Sequence, residues 1–93
     1  MKKIVKVTQY IEVEVDEAKF DEDFLKEFKE NFYEFDNINE HIEHLARLYA
    51  KGMVGGTPNS FIEGYGEQRD MSISFKEYKD IDTEIEEIEW KKK

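Results

Sequence analysis

The stretch Asn37–Gly52, NINEHIEHLARLYAKG, constrains this chain more than any other, because it reads as a helix from end to end. Asn37 can cap the first turn, and Glu40 stands three residues on, the spacing of a capping box. Ile38, Ile42, Leu45 and Tyr49 recur at i, i+4, i+7 and i+11, so one face is apolar, and His41 and Leu48 widen that stripe. Gly52 follows the last periodic residue, where a left-handed cap is most often needed. An amphipathic helix must bury its stripe against something, and the rest of the chain is read for what that is.

Lys3–Val15 alternates. Val5, Val7, Gln9, Ile11, Val13 and Val15 share one face, and Lys6, Thr8, Tyr10, Glu12 and Glu14 share the other, which predicts a half-buried strand. At ~3.3 Å per residue it is long enough to require a bend or bulge. Gln9 interrupts the apolar face and is expected at that bend or against a backbone partner.

Asp21 is placed to cap a first helix from Glu22 to about Glu34, with Glu22 and Asp23 favourable in its first turn. Phe24, Leu25, Phe28, Phe32 and Phe35 follow helical spacing, and such a stripe is expected to be core and not a binding groove. Asp36-Asn37 separates the two helices by so little that they form a hairpin. All five glycines and the single proline lie between Gly52 and Gly66. They predict a flexible loop over 52–60, pinned to the core at its far end by Phe61 and Ile62, and a tight turn around Tyr65. Met71–Phe75 alternates as a short strand with Met71, Ile73 and Phe75 inward, and Lys76–Asp80 is read as the turn after it. In Ile81–Trp90 the residues Ile81, Thr83 and Ile85 fit one strand face, with a bulge near Glu86-Glu87 to accommodate Ile88 and Trp90. Ile81, Ile85 and Ile88 also fit a helix, but the Ile, Thr and Trp content favours a strand. Lys91–Lys93 reads as a frayed tail.

The expected fold is therefore α+β in the order β-α-α-β-β. A helical hairpin packs on one face of a three-stranded, mainly antiparallel sheet. Ninety-three residues make one domain, 1–93, with room for a single modest core. No apolar run approaches a membrane span, and MKKIVKVTQY alternates where a signal peptide would be continuously apolar. A cytoplasmic protein is expected, and the lack of cysteine suits that compartment.

The residues carry no recognisable catalytic signature. His41 and His44 stand at i, i+3, where helical zinc sites use H-E-x-x-H. His41-Ile-Glu43 matches the H-x-E of zinc deaminases, but their cysteines are lacking. The plain expectation is one histidine half-buried and one exposed. Gly55-Gly56-Thr57 lacks the lysine and spacing of a phosphate loop, and Asp80-Ile-Asp82-Thr-Glu84 lacks the glycine and distal glutamate of a calcium loop. No cofactor, no metal and no enzyme activity are expected.

The acids say more. The formal charge is −9, so nucleic acid and anionic membrane are repelled and an electrostatic partner would be a protein with a basic surface. Glu12, Glu14, Asp16, Glu17, Asp21, Glu22 and Asp23 crowd one segment. Glu77, Asp80, Asp82, Glu84, Glu86, Glu87 and Glu89 crowd another. On one strand face carboxylates recur every ~6.7 Å, so paired strands would array them. A solvated face that only keeps the protein soluble is the simpler account. The functional one makes Glu12, Glu14, Asp82, Glu84 and Glu86 a partner-binding face, with Glu40 and Glu43 on the second helix as further candidates.

VTQYIEVEVDEAKF, EHIEHLARLYAKG and FIEGYGE, in that order, resemble small acidic proteins of phages and mobile elements, some of which act as anti-CRISPR proteins. The likeness lies in style and segment order and carries no defined motif. It implies a way of working: stoichiometric inhibition of a CRISPR-Cas effector subunit in the host cell by occupying its nucleic-acid path. The alternative is a small structural or assembly module, such as a homodimer through a strand edge.

Overall fold

The computed structural model describes residues 1–86, apart from the side chains of residues 79–81 and 86. Its elements are β1 (Ile4–Glu14), a 3-10 turn (Glu17–Lys19), α1 (Glu22–Asn31), α2 (Ile38–Ala50), β2 (Phe61–Ile62), β3 (Gly66–Glu67), a single helical turn α3 (Gln68–Met71) and β4 (Ser74–Glu86). The class is α+β, with the helices on one side of an antiparallel sheet, as expected.

The helix starts follow the capping chemistry of the sequence. The Asp21 carboxylate accepts from the Phe24 N–H and the Asn37 side chain from the Glu40 N–H. Glu40 completes the box one residue early, accepting from the Asp36 N–H rather than that of Asn37. Gly52 takes φ +73° just past α2, as a left-handed cap requires. α1, however, stops at Asn31, three residues short of the expected end. The Asn31 side-chain amide turns back to donate to the Glu27 carbonyl, and Phe32 leaves the helical region. The chain then folds so that Phe35 stacks on Phe28 with ring centroids 5.7 Å apart, and Lys29 pairs with Asp36 at 2.8 Å. Phe35 thus reaches the core by a turn, not by helical spacing.

β1 pairs with β4 along almost its whole length, from Ile4↔Glu86 to Glu14↔Ser74. Lys76–Asp80 is therefore not a turn: the later strand stretches expected at Met71–Phe75 and Ile81–Trp90 are parts of one strand. The segment KEYKD holds no glycine, proline or asparagine to reverse the chain. The irregularity expected of so long a strand falls between Gln9↔Ile81 and Ile11↔Glu77, where Tyr10 alone stands opposite Tyr78, Lys79 and Asp80. Gln9 sits at this bulge and donates to the Glu77 carboxylate, not to a backbone group. At its near end the strand begins at Ser74, not Met71. Met71 closes α3, and Ser72 is left-handed at φ +55°. Among the described residues the sheet is thus a long two-stranded ribbon, beside a separate small hairpin of β2 and β3. Residues 87–93, with the bulge near Glu87, Ile88, Trp90 and the tail, lie outside the described residues.

The core is Phe20, Phe28, Leu45, Ile62, Tyr65 and Ile73, with Val13, Val15, Phe24, Leu25, Phe35, Ile38 and Leu48 packed against it. Only the inner half of the ribbon is covered. Val5 and Val7, expected inward, are exposed together with Ile85, because the ribbon runs out beyond the helices. Phe61 and Ile62 part company: Ile62 is buried and Phe61 is exposed. Between β2 and β3 the turn uses Gly64 at φ +92°, and a Cβ there would stand 2.6 Å from the Phe28 ring. Glycine is needed at this position both for its backbone and for the approach of α1.

Candidate functional site

Strand pairing sorts the acidic residues. On the ribbon face turned away from the helices, Lys6 stands opposite Glu84, Thr8 opposite Asp82, Glu12 opposite Lys76 and Glu14 opposite Ser74. Glu12, Glu14, Asp82 and Glu84 are all exposed there. The backbone of Glu86 lies opposite Ile4 at the end of the same row.

Two tyrosines hold this face in shape. The Tyr10 hydroxyl donates to Asp82 at 3.2 Å, and the Tyr78 hydroxyl donates to Glu12 at 2.9 Å. The hydrogen bond to Glu12 and the charge of that carboxylate raise the pKa of the Tyr78 hydroxyl above its usual value. Lys76 lies over the Tyr78 ring, 5.7 Å from its centre. Both tyrosines are ordinary strand residues in the sequence. Their partners appear only once the strand register is known, which sets Tyr78 diagonally across from Glu12. The ion pairs Lys29–Asp36 and Arg69–Glu67 lie elsewhere. With lysines on this face at Lys6 and Lys76, the carboxylates predominate.

The two helix candidates do not join this face. Glu40 is occupied as the cap of α2. Glu43 is exposed on α2, which packs on the opposite side of the ribbon. The candidate acids thus fall into a ribbon row and two further residues on the helix layer.

The histidines differ from expectation in the same direction. His41 is fully buried and His44 half-buried. The His41 ring is enclosed by Phe20, Phe24, Phe28, Phe35 and Tyr65, with the Phe28 centroid 4.6 Å away. Its Nδ1 is 2.7 Å from the Tyr65 hydroxyl, and its Nε2 has no partner among the described residues. Burial lowers its pKa to about 4, and the neighbouring His44 adds to the effect. Burial also lowers the pKa of His44, with Arg47 contributing. His41 therefore belongs to the aromatic core as a neutral ring, and His44 sits at its margin against Tyr33 and Phe35. Among the described residues no three His, Cys, Asp or Glu side chains are gathered as a metal site, and no helix is long and apolar enough to cross a membrane.

Comparison of the chain with protein-family models, with curated proteins and with solved structures gives no match.

Proposed function

We propose that the protein is a non-enzymatic inhibitor that covers a basic, nucleic-acid-binding surface of a cytoplasmic CRISPR-Cas effector with the outer face of its ribbon. The observation that carries this is the row Glu12, Glu14, Asp82 and Glu84. These four carboxylates are exposed on one face of two paired strands, and hydroxyl groups orient two of them. Along a strand, side chains on one face repeat at ~6.7 Å, and neighbouring strands lie ~4.8 Å apart. Such a lattice of negative charge suits a groove whose lysines and arginines ordinarily contact phosphates. It draws a basic partner in at long range and is screened by salt.

The test titrates the chain into purified CRISPR effectors carrying guide and target nucleic acid, with target cleavage as the readout. Inhibition at near-equal molar ratio is expected for one effector class, weakening as salt rises. Asp82→Lys with Glu84→Lys should reduce binding to that effector at least tenfold, about 1.4 kcal/mol. A folded double mutant that inhibits as well as wild type would remove the ribbon from the interface.

A second reading, an assembly module that pairs with its own copy, is favoured by one observation. The outer half of the ribbon leaves Val5, Val7 and Ile85 exposed beside strand edges. Sedimentation separates the two: a dimer that dissociates on Val7→Lys supports self-pairing, and a monomer at high concentration excludes it.

A further inference from the structure

Away from the ribbon face, the end of α1 with the two residues after it, the second half of α2 and residues 53–54 and 61–63 line an open trough of about 710 Å³. Phe32, Tyr33, Leu48, Met53, Val54 and Phe61 supply its apolar lining. The sequence spacing assigned Phe32 to the core, but the early stop of α1 at Asn31 turns it to the rim. There Phe32, Tyr33, Met53 and Phe61 are 45%, 55%, 67% and 68% exposed. A second hollow shares Asn31 and Phe32 with the first and continues it past Glu27 to Gly64. Aromatic residues and methionine in an open trough are the composition of interface anchors, and contiguous exposed apolar surface of this kind marks an interaction site.

Charge decides what fits. Among the described residues, the formally charged ones lining the two hollows are Glu27 and Glu63, both acidic. His44 lines the same trough, and the lowering of its pKa by burial keeps it neutral near pH 7. A rim so exposed does not engulf a small molecule, which a binding pocket buries by roughly 70–90%. It matches a side-chain-bearing segment laid along it. A second copy of this chain would bring a net charge of −9 to an acidic rim.

We propose that this trough is a docking groove for an amphipathic segment of a partner protein, whose apolar residues seat between Phe32 and Phe61 and whose flanking lysines or arginines meet Glu27 and Glu63. The groove is independent of the ribbon face and of the inhibitor reading.

Two labelled peptides of roughly 15 residues serve as probes, one a helix of leucine and lysine and the other of leucine and glutamate. Fluorescence anisotropy at physiological salt should show binding of the Leu/Lys peptide to wild type and none of the Leu/Glu peptide. Phe61→Ser, at an exposed position, should weaken binding at least tenfold. Glu63→Lys should weaken the Leu/Lys peptide and admit the Leu/Glu one. The ribbon variant Asp82→Lys with Glu84→Lys should bind within threefold of wild type. Circular dichroism confirms that each variant is folded. Equal binding of both peptides overturns the proposal, and so does loss of binding in the ribbon variant with retention in Phe61→Ser. A wild-type dimer that becomes monomeric on Phe61→Ser overturns it as well, by assigning the trough to a second copy.

Discussion

The Tyr65 hydroxyl and His41 Nδ1 lie 2.7 Å apart in the centre of the core, and among the described residues this is the one polar contact the buried imidazole makes. Either group can be the donor. In both tautomers Nε2 faces aromatic rings without a partner, and a protonated imidazole would have to leave a charged N–H there unmet.

Acid should therefore destabilise the protein through His41. The folded pKa of about 4 lies below the ordinary 6.5, so the unfolded chain takes up the proton first. The stabilisation is complete above about pH 6.5 and is lost as pH falls toward 4. The His41 contribution to that loss is on the order of 3 kcal/mol. His44, lowered for the same reason, acts in the same direction. Denaturant midpoints at pH 7.5 and 5 measure it. A lower midpoint at pH 5 is expected, with a flatter pH dependence in His41→Leu; equal midpoints for wild type would contradict it.

Tyr65→Phe keeps the ring and removes the hydroxyl. Both nitrogens of His41 are then unpaired in the core, a loss of about 1–3 kcal/mol. Chemical denaturation reads it directly, and a change below about 0.5 kcal/mol would mean that the contact is not made in solution.

Phe28 and Phe32 share a stripe in the sequence but not in the fold. Phe28→Ala should cost roughly 3–5 kcal/mol, a large part of the ~5–15 kcal/mol that holds a domain together. Phe32→Ala, at the trough rim, should cost less than about 1 kcal/mol. Comparable losses at the two positions would return Phe32 to the core.

Gly64→Ala places a methyl group 2.6 Å from the Phe28 ring at a backbone angle of φ +92°. Strain and clash add, so a loss of more than about 1 kcal/mol is expected. Gly66→Ala is the control. It has a similar φ of +94° and open space, so it should show the backbone cost alone. If the two variants melt together, the close approach of α1 to the turn is not a constraint.

Capping and periodicity were legible because they are local. Asp21, Asn37 and Gly52 act within one turn of their own positions, and their neighbours in sequence are their partners in space. The alternation of β1 was legible for the same reason, and so was the need for a bulge. What covers a strand is not local. Val5 and Val7 have the same pattern as Val13 and Val15, yet the helices reach only the latter pair. The fate of Phe32 turned on where α1 ends, at Asn31, whose side chain folds back onto the Glu27 carbonyl. His41 was read as the edge of a stripe because histidine is polar. Its burial depends on Tyr65, 24 residues away, bringing a hydroxyl to it. The acidic row needed only strand parity, so the ribbon members of the candidate site were readable, and helical spacing already put Glu40 and Glu43 on a different layer.

The bulge at Tyr10 sets a rule for how this chain can change length. Its excess over a regular ladder, Tyr78–Asp80 against Tyr10, is an even number of residues. Val5 and Ile85 beyond it therefore stay in phase with Val13 and Phe75 before it. Insertions or deletions between Glu77 and Ile81 that keep this parity leave the acids on the outer face. A one-residue indel would turn the strand over beyond that point, presenting Thr83 and Ile85 where Asp82 and Glu84 now stand. A change in the length of this segment thereby keeps the outer face only in steps of two.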